Sequence, residues 1–138
     1  MNKLFLFALL LPAIAFSERA RDLGIPFDGT PGELNAITDV PGVTVGHSTL
    51  IEDYPDGKSA RTGVTAVMPR GEESVSLPVF GAGAVLNGAG EMTGTIWMEA
   101  SGFLEGPVMI TTTHSVGIVF EETIKWRVNK APPDPTGY

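Results

Sequence analysis

Cysteine is absent from this chain. That excludes disulfides and thiolate metal sites, so an exported form must rely on core burial for its stability. Histidine is nearly absent too: His47 and His114 are the only two, and they form no compact His-x-x-x-His pattern. Each reads as a hydrogen-bonding structural residue, and no metal or cofactor is expected. Basic residues are in deficit, 9 Lys and Arg against 16 Asp and Glu for a net charge of −7. No basic stripe is visible, which excludes a general nucleic-acid surface. The leading apolar run, at residues 4–16, is interrupted by Pro12 and at about 13 residues falls short of the roughly 20 needed to cross a bilayer. No internal repeat of solenoid length occurs.

What the chain does have is enough apolar material, 43% of 138 residues, for one globular domain. Its 17 glycines and 11 prolines point to many turns and a mixed or strand-rich fold. Lys3, the apolar run and the small residues Ala13, Ala15 and Ser17 have the form of a signal peptide over residues 1–17. Export to the periplasm or the extracellular space is therefore expected, without a stable membrane anchor.

From residue 18 to 42 the chain carries Pro26, Gly29, Pro31, Gly32, Pro41 and Gly42, which predicts a surface wrap without a long regular element. Val43 and Val45 alternate around Thr44 before Gly46, predicting a first strand. A polar turn around Pro55, Asp56 and Gly57 leads to a second over residues 64–68, closed by Pro69 and Gly71. The block GAGAVLNGAGEMTG, residues 81–94, is too rich in glycine for a helix interior and permits close backbone approaches. Residues 108–112 read as a buried strand. A helix is expected over residues 116–128, with Val116, Val119, Phe120 and Ile124 on one face and Thr113 or Ser115 as cap. Pro132, Pro133 and Pro135 stop it.

Local motifs for chemistry are weak. After Gly88 and Gly90, Thr93 stands where a dinucleotide fingerprint requires its third glycine, and no Walker sequence occurs. Thr113-His114-Ser115-Val116-Gly117 approaches a nucleophile elbow but lacks the first glycine, and Ser115 is explained by helix capping. Glu91 and Glu99 lie in or beside the glycine-rich block, where a carboxylate could hold a cationic amine by a charge-assisted hydrogen bond. On chemistry alone, a solvated surface acid is the simpler reading of both.

Four linked blocks change that balance: RARDLGIPFDGTPGELNAITDVPGVTVGHSTL at residues 19–50, RTGVTAVMPRG at 61–71, VLNGAGEMTG at 85–94 and GPVMITTTHSVGIV at 106–119. Together they resemble, in order and spacing, the opening of the DmpA-like and β-peptidyl aminopeptidases, a family of self-processing serine aminopeptidases of the N-terminal-nucleophile kind. The resemblance implies an α/β (α+β) fold, an αββα sandwich of which residues 18–138 supply only the N-terminal portion. It also implies a precursor that cuts itself and exposes a serine at the start of a second, downstream β polypeptide. That nucleophile is expected outside this chain, so no catalytic residue is expected within it, and the segment alone is expected to be inactive. The implied substrates are short peptides, amides or esters with a free amine, and a homo-oligomer is the implied assembly. Matching NGAGEMTGTIWMEASG to the family pattern places the acid that recognises the amine at Glu99, with Glu91 second. Met92 and Trp97 are then candidate pocket residues, although Trp97 reads equally as core. Ala89 and Thr112 replace asparagines common in the family, which leaves the hydrogen-bond network and substrate range open. An acyltransferase of related self-processing architecture and a non-catalytic secreted binding module are the alternatives.

Overall fold

A five-residue polar turn organises the longest piece of regular structure. In the computed structural model, which describes residues 18–130, Gly57 adopts φ 81°, a left-handed conformation that glycine enters without a Cβ penalty. The Tyr54 amide donates to the Lys58 carbonyl at 2.8 Å and the Gly57 amide to the Tyr54 carbonyl at 3.0 Å. Lys58 closes on Asp56 at 2.6 Å, and that ammonium holds the Asp56 carboxyl below its ordinary value.

The turn joins β1, Thr44–Asp53, to β2, Ser59–Glu72. They pair antiparallel from Thr44↔Met68 to Asp53↔Ser59. β5, Val108–Ile110, adds to the other side of β2 through Thr65↔Ile110, Ala66↔Met109 and Val67↔Val108. The order β1-β2-β5 makes β2 the central strand, and its residues 63–69 are correspondingly half-buried. The two expected strands are present and longer than their apolar centres. β1 continues through Gly46, His47 and Ser48, residues with a weak strand signal of their own, because β2 offers a ladder along the whole length. Pro69 lies inside β2 but beyond the last β1 pair, so its missing N–H costs that ladder nothing.

A second, two-stranded ribbon pairs β3, Val79–Phe80, with β4, Phe103–Leu104, its phenylalanine rings stacked at 5.2 Å. Between them, after the irregular glycine-rich block, lies α1, Thr95–Ser101. β5 leads through a 3-10 turn, Thr113–Ser115, into α2, Val116–Lys130, two residues longer than expected. Ser115 stands at the cap position, yet among the described residues no helix amide donates to its hydroxyl; the Ser115 amide donates to the Thr112 carbonyl at 2.9 Å within the 3-10 turn.

These elements belong to one unit, Gly32–Tyr138, and residues Met1–Pro31 to another. In the first unit, the described residues 18–31 form a turn in which the Asp22 amide donates to the Arg19 carbonyl at 2.9 Å. There the Arg21 guanidinium lies 5.3 Å from the Phe27 ring centroid and donates to the Phe27 and Asp28 carbonyls. The second unit opens with a single 3-10 turn, Ile37–Asp39, so residues 18–42 do run without a long element. The expected signal peptide lies outside the described residues.

Among the described residues no hydrophobic side chain is fully buried. The tightest packing is polar: Ser74 is 3% exposed, its hydroxyl accepts from the Arg70 amide at 2.8 Å, and its carbonyl accepts from the Gly106 amide at 2.9 Å. The expected apolar face of α2 is only partly covered, with Val116, Val119 and Ile124 half-buried and Phe120 exposed.

Candidate functional site

The chemistry singled out in the sequence collects around α1, a helix of 7 residues. So short a helix is marginal on propensity alone and depends on what holds its ends and sides. Both ends are set by glycines in the left-handed region, Gly94 at φ 79° and Gly102 at φ 76°. At the C-terminal end the Gly102 amide donates to the Met98 carbonyl at 2.8 Å, and the Gly102 carbonyl accepts from the Gly81 amide at 3.0 Å. The helix is thereby tied to the residue that follows β3.

One side of α1 closes over the start of the glycine-rich block. A β-carbon at Gly81 would stand 2.7 Å from Leu104 Cβ and 3.0 Å from Met98 Sδ, closer than real side chains pack. A β-carbon at Gly83 would meet Met98 Cε at 3.2 Å, Thr95 Cγ2 at 3.6 Å and Met92 Sδ at 3.7 Å. Glycine at these positions lets the backbone approach the helix, which explains part of the block's composition. Farther along, Asn87 Oδ1 accepts from the Ala89 amide at 3.0 Å, and Gly88 and Gly90 sit in open space.

The four candidate residues are not one cluster. Met92 joins Thr95 and Met98 at Gly83. Glu99 is exposed on α1; at about 100° per residue its row adjoins that of Thr95, on the flank of the methionine side. Glu91 is exposed in the loop before the helix. Trp97 stands two positions from Glu99, roughly 200° around the axis, and its indole Nε1 donates to Glu105 Oε1 at 3.2 Å.

That last contact brings in two residues the sequence did not single out. Glu105 Oε2 also accepts from Arg127 of α2 at 2.9 Å, and the two side chains are 34% and 31% exposed. The Arg127 guanidinium, helped by the Trp97 indole, holds the Glu105 carboxyl below its ordinary value against the opposing effect of partial burial. Twenty-two residues separate Glu105 from Arg127, and no local motif announces a pair so far apart.

His47 fulfils a structural role, its Nδ1 lying 2.9 Å from Thr65 Oγ1 across a paired position of β1 and β2. His114 is exposed in the 3-10 turn before α2. No hydrogen bond between the His114 and Ser115 side chains is present among the described residues.

Known proteins resemble this chain in both sequence and fold. The β-peptidyl aminopeptidase BapA of Sphingosinicella microcystinivorans is 53% identical over 124 residues, covering 86% of this chain and 31% of that protein. The solved L-aminopeptidase D-Ala-esterase/amidase of Ochrobactrum anthropi, described as a prototype serine aminopeptidase and a variant of the Ntn-hydrolase fold, superposes with a TM-score of 0.72. It is 48% identical over 81% of this chain and 32% of its own. A Burkholderia sp. β-aminopeptidase gives a TM-score of 0.74, also at 48% identity, over 83% of this chain and 32% of its own. The chain thus spans about a third of the length of the relatives it matches. Residues 35–136 match peptidase family S58, and the chain belongs to that family.

Proposed function

We propose that this chain is the leading portion of an exported serine aminopeptidase that removes the N-terminal residue from short peptides, amides or esters, and that Glu99 receives the substrate's free ammonium group. The observation that carries this reading is an exposed carboxylate on a short helix whose two ends are set by left-handed glycines, beside the methionines gathered at Gly83. A carboxylate so placed makes a charge-assisted hydrogen bond to an ammonium group and discriminates against acylated amines, which carry no charge. Met92, with Met98, offers a deformable apolar wall for the first side chain of the substrate. Glu91 is the second position for the same role.

Hydrolysis needs a nucleophile, and in this reading it is a serine freed at the start of a downstream polypeptide. Its own α-amine, with an ordinary pKa of about 8, takes the hydroxyl proton. The serine oxygen bonds the substrate carbonyl carbon, the carbon–nitrogen bond breaks, and the proton leaves with the departing amine. Water then releases the acyl group from the serine. The many uncovered apolar side chains, Phe80, Leu86 and Ile96 among them at 86%, 97% and 85% exposure, support a complementary polypeptide that completes the sandwich. Residues 18–138 are read as one portion of that single domain, residues 1–17 as its cleaved leader, and the mature enzyme as a homo-oligomer.

The test is Glu99→Gln in the complete enzyme, which removes the charge and nearly preserves the shape. Catalytic efficiency on a free-amine substrate is expected to fall by about tenfold to a hundredfold, the loss of one charged hydrogen bond of about 1.5 to 3 kcal/mol. Efficiency on the N-acetylated counterpart is expected to stay within about twofold. Equal losses on both substrates contradict the role, and a selective loss at Glu91→Gln alone moves it there.

A further inference from the structure

A seven-residue helix that presents a binding carboxylate must be kept from rolling about its own axis. One tether is the methionine side, where Met98 closes over Gly81 and Gly83. That contact is made by a thioether, and three rotatable bonds let a methionine follow a displaced neighbour. A second tether leaves the helix one residue earlier, at an azimuth about 100° away: the Trp97 indole donates to Glu105 at 3.2 Å, and Glu105 is gripped from its other oxygen by Arg127 of α2 at 2.9 Å. The planar indole and the guanidinium are the stiff parts of this chain of contacts, and the glutamate is the joint between them.

We propose that Glu105 is a positioning residue: by accepting from both Trp97 and Arg127 it locks the roll of α1 against α2 and so sets where Glu99, on the other side of the helix, meets the substrate ammonium. The proposal rests on the assignment of Glu99 to the amine. It gives Trp97 a role different from lining a pocket, since its indole N–H is engaged on the side of α1 away from Glu99. Without the glutamate, the Arg127 charge keeps its helix but loses its hold on α1, and the carboxylate samples a wider range of directions. Binding of the ammonium weakens, while the carbonyl of the same residue is attacked at its former rate once the substrate is seated.

The experiment is a mutant cycle in the complete enzyme, with Glu105→Ala, Glu105→Gln, Trp97→Phe and each combined with Glu99→Gln, assayed on a free-amine peptide amide. Glu105→Ala and Trp97→Phe are each expected to raise KM about tenfold, the change produced by about 1.4 kcal/mol of lost orientation, with kcat within about twofold. In the Glu99→Gln background that increase is expected to vanish, since no carboxylate remains to be aimed. Glu105→Gln keeps an oxygen for the indole but turns an amide NH2 toward Arg127, so its KM is expected to rise about threefold, between wild type and Glu105→Ala, and to return to the single-variant value in the Glu99→Gln background. It also serves where Glu105→Ala fails to fold. In a spectrum of the 15N-indole-labelled enzyme, the resonance lost in Trp97→Phe is expected to move in Glu105→Ala and to hold its place in Glu105→Gln. An increase in KM that persists undiminished in the Glu99→Gln background, or a KM unmoved by Glu105→Ala and Trp97→Phe, overturns the proposal. Failure of the underlying assignment shows separately, as Glu99→Gln by itself leaving the preference for free over acetylated amines intact.

Discussion

Gly63→Ala should damage this protein far more than Gly46→Ala, although both glycines lie in the same hairpin. Gly63 is on β2 opposite Thr49, and Gly46 is on β1 opposite Ala66. A β-carbon at Gly46 would find no heavy atom within 4 Å, whereas one at Gly63 would overlap the Ser48 carbonyl oxygen and stand 3.1 Å from Thr49 Cα. Those are backbone atoms, so no rotamer change relieves the clash; the β1–β2 ladder must open there. Overpacking of this kind costs about 1 to 3 kcal/mol, and one or two ladder hydrogen bonds lost with it add about 1 kcal/mol each. The Gly63 carbonyl also accepts from Thr111 Oγ1 at 3.0 Å, so the disturbance reaches the end of β5. A total of about 2 to 5 kcal/mol is expected for Gly63→Ala. Gly46→Ala should range from neutral to about 1 kcal/mol stabilising, through a less flexible unfolded chain. Denaturant titration of the complete protein, at unchanged slope, measures both. Equal losses in the two variants, or a Gly63→Ala loss under about 0.5 kcal/mol, would refute the packing argument.

Gly81→Ala should cost about 1 to 3 kcal/mol because the added carbon meets Leu104 Cβ at 2.7 Å, while Gly83→Ala, which meets mainly flexible methionine ends, should cost under about 1 kcal/mol; thermal melts of the two variants compare them. Arg127 depresses the Glu105 pKa, so the stabilisation from this pair should be complete above the ordinary glutamate value of about 4.3 and be lost as pH falls through the lower folded value. The melting-temperature difference between wild type and Glu105→Gln should accordingly shrink from about pH 6 toward pH 3, and a difference that grows with acid contradicts the linkage. Mass spectrometry of the exported product should find the leader removed near Ala15 or Ser17, and retention of Met1 in the mature soluble protein would refute that cleavage.

The sequence announced those elements whose own residues carry the signal. The apolar runs in β2 and β5 and the helical spacing of Val116, Val119, Phe120 and Ile124 were legible because the residues themselves carry the pattern, although only β2 half-buries its whole run, and Val108, Ile110 and Phe120 stay exposed. The polar half of β1 was not, since Gly46, His47 and Ser48 become strand through the partner they meet. The β3–β4 ribbon joins residues such as Phe80 and Phe103 across 23 positions, and two-residue strands leave no periodicity to read. α1 was hidden for a related reason: its 7 residues are too few for a periodic pattern, and the glycines that bound it read as breakers when their place is at its ends. Resemblance, and not residue chemistry alone, drew attention to Glu91, Met92, Trp97 and Glu99. It did not reveal that Trp97 is turned away from Glu99, because that follows from the helix between them. Glu105 and Arg127 meet only in the folded chain.

The claim that this chain binds the substrate amine while another segment attacks the carbonyl is tested most directly by assaying residues 18–138 and the complete protein side by side on a free-amine peptide amide. Turnover by the complete protein after it has cut itself, with none from residues 18–138, is the predicted result, because a bound ammonium group leaves the amide intact until a nucleophile reaches it. Turnover by purified residues 18–138 that disappears on substituting Ser115 or another serine within them would contradict it.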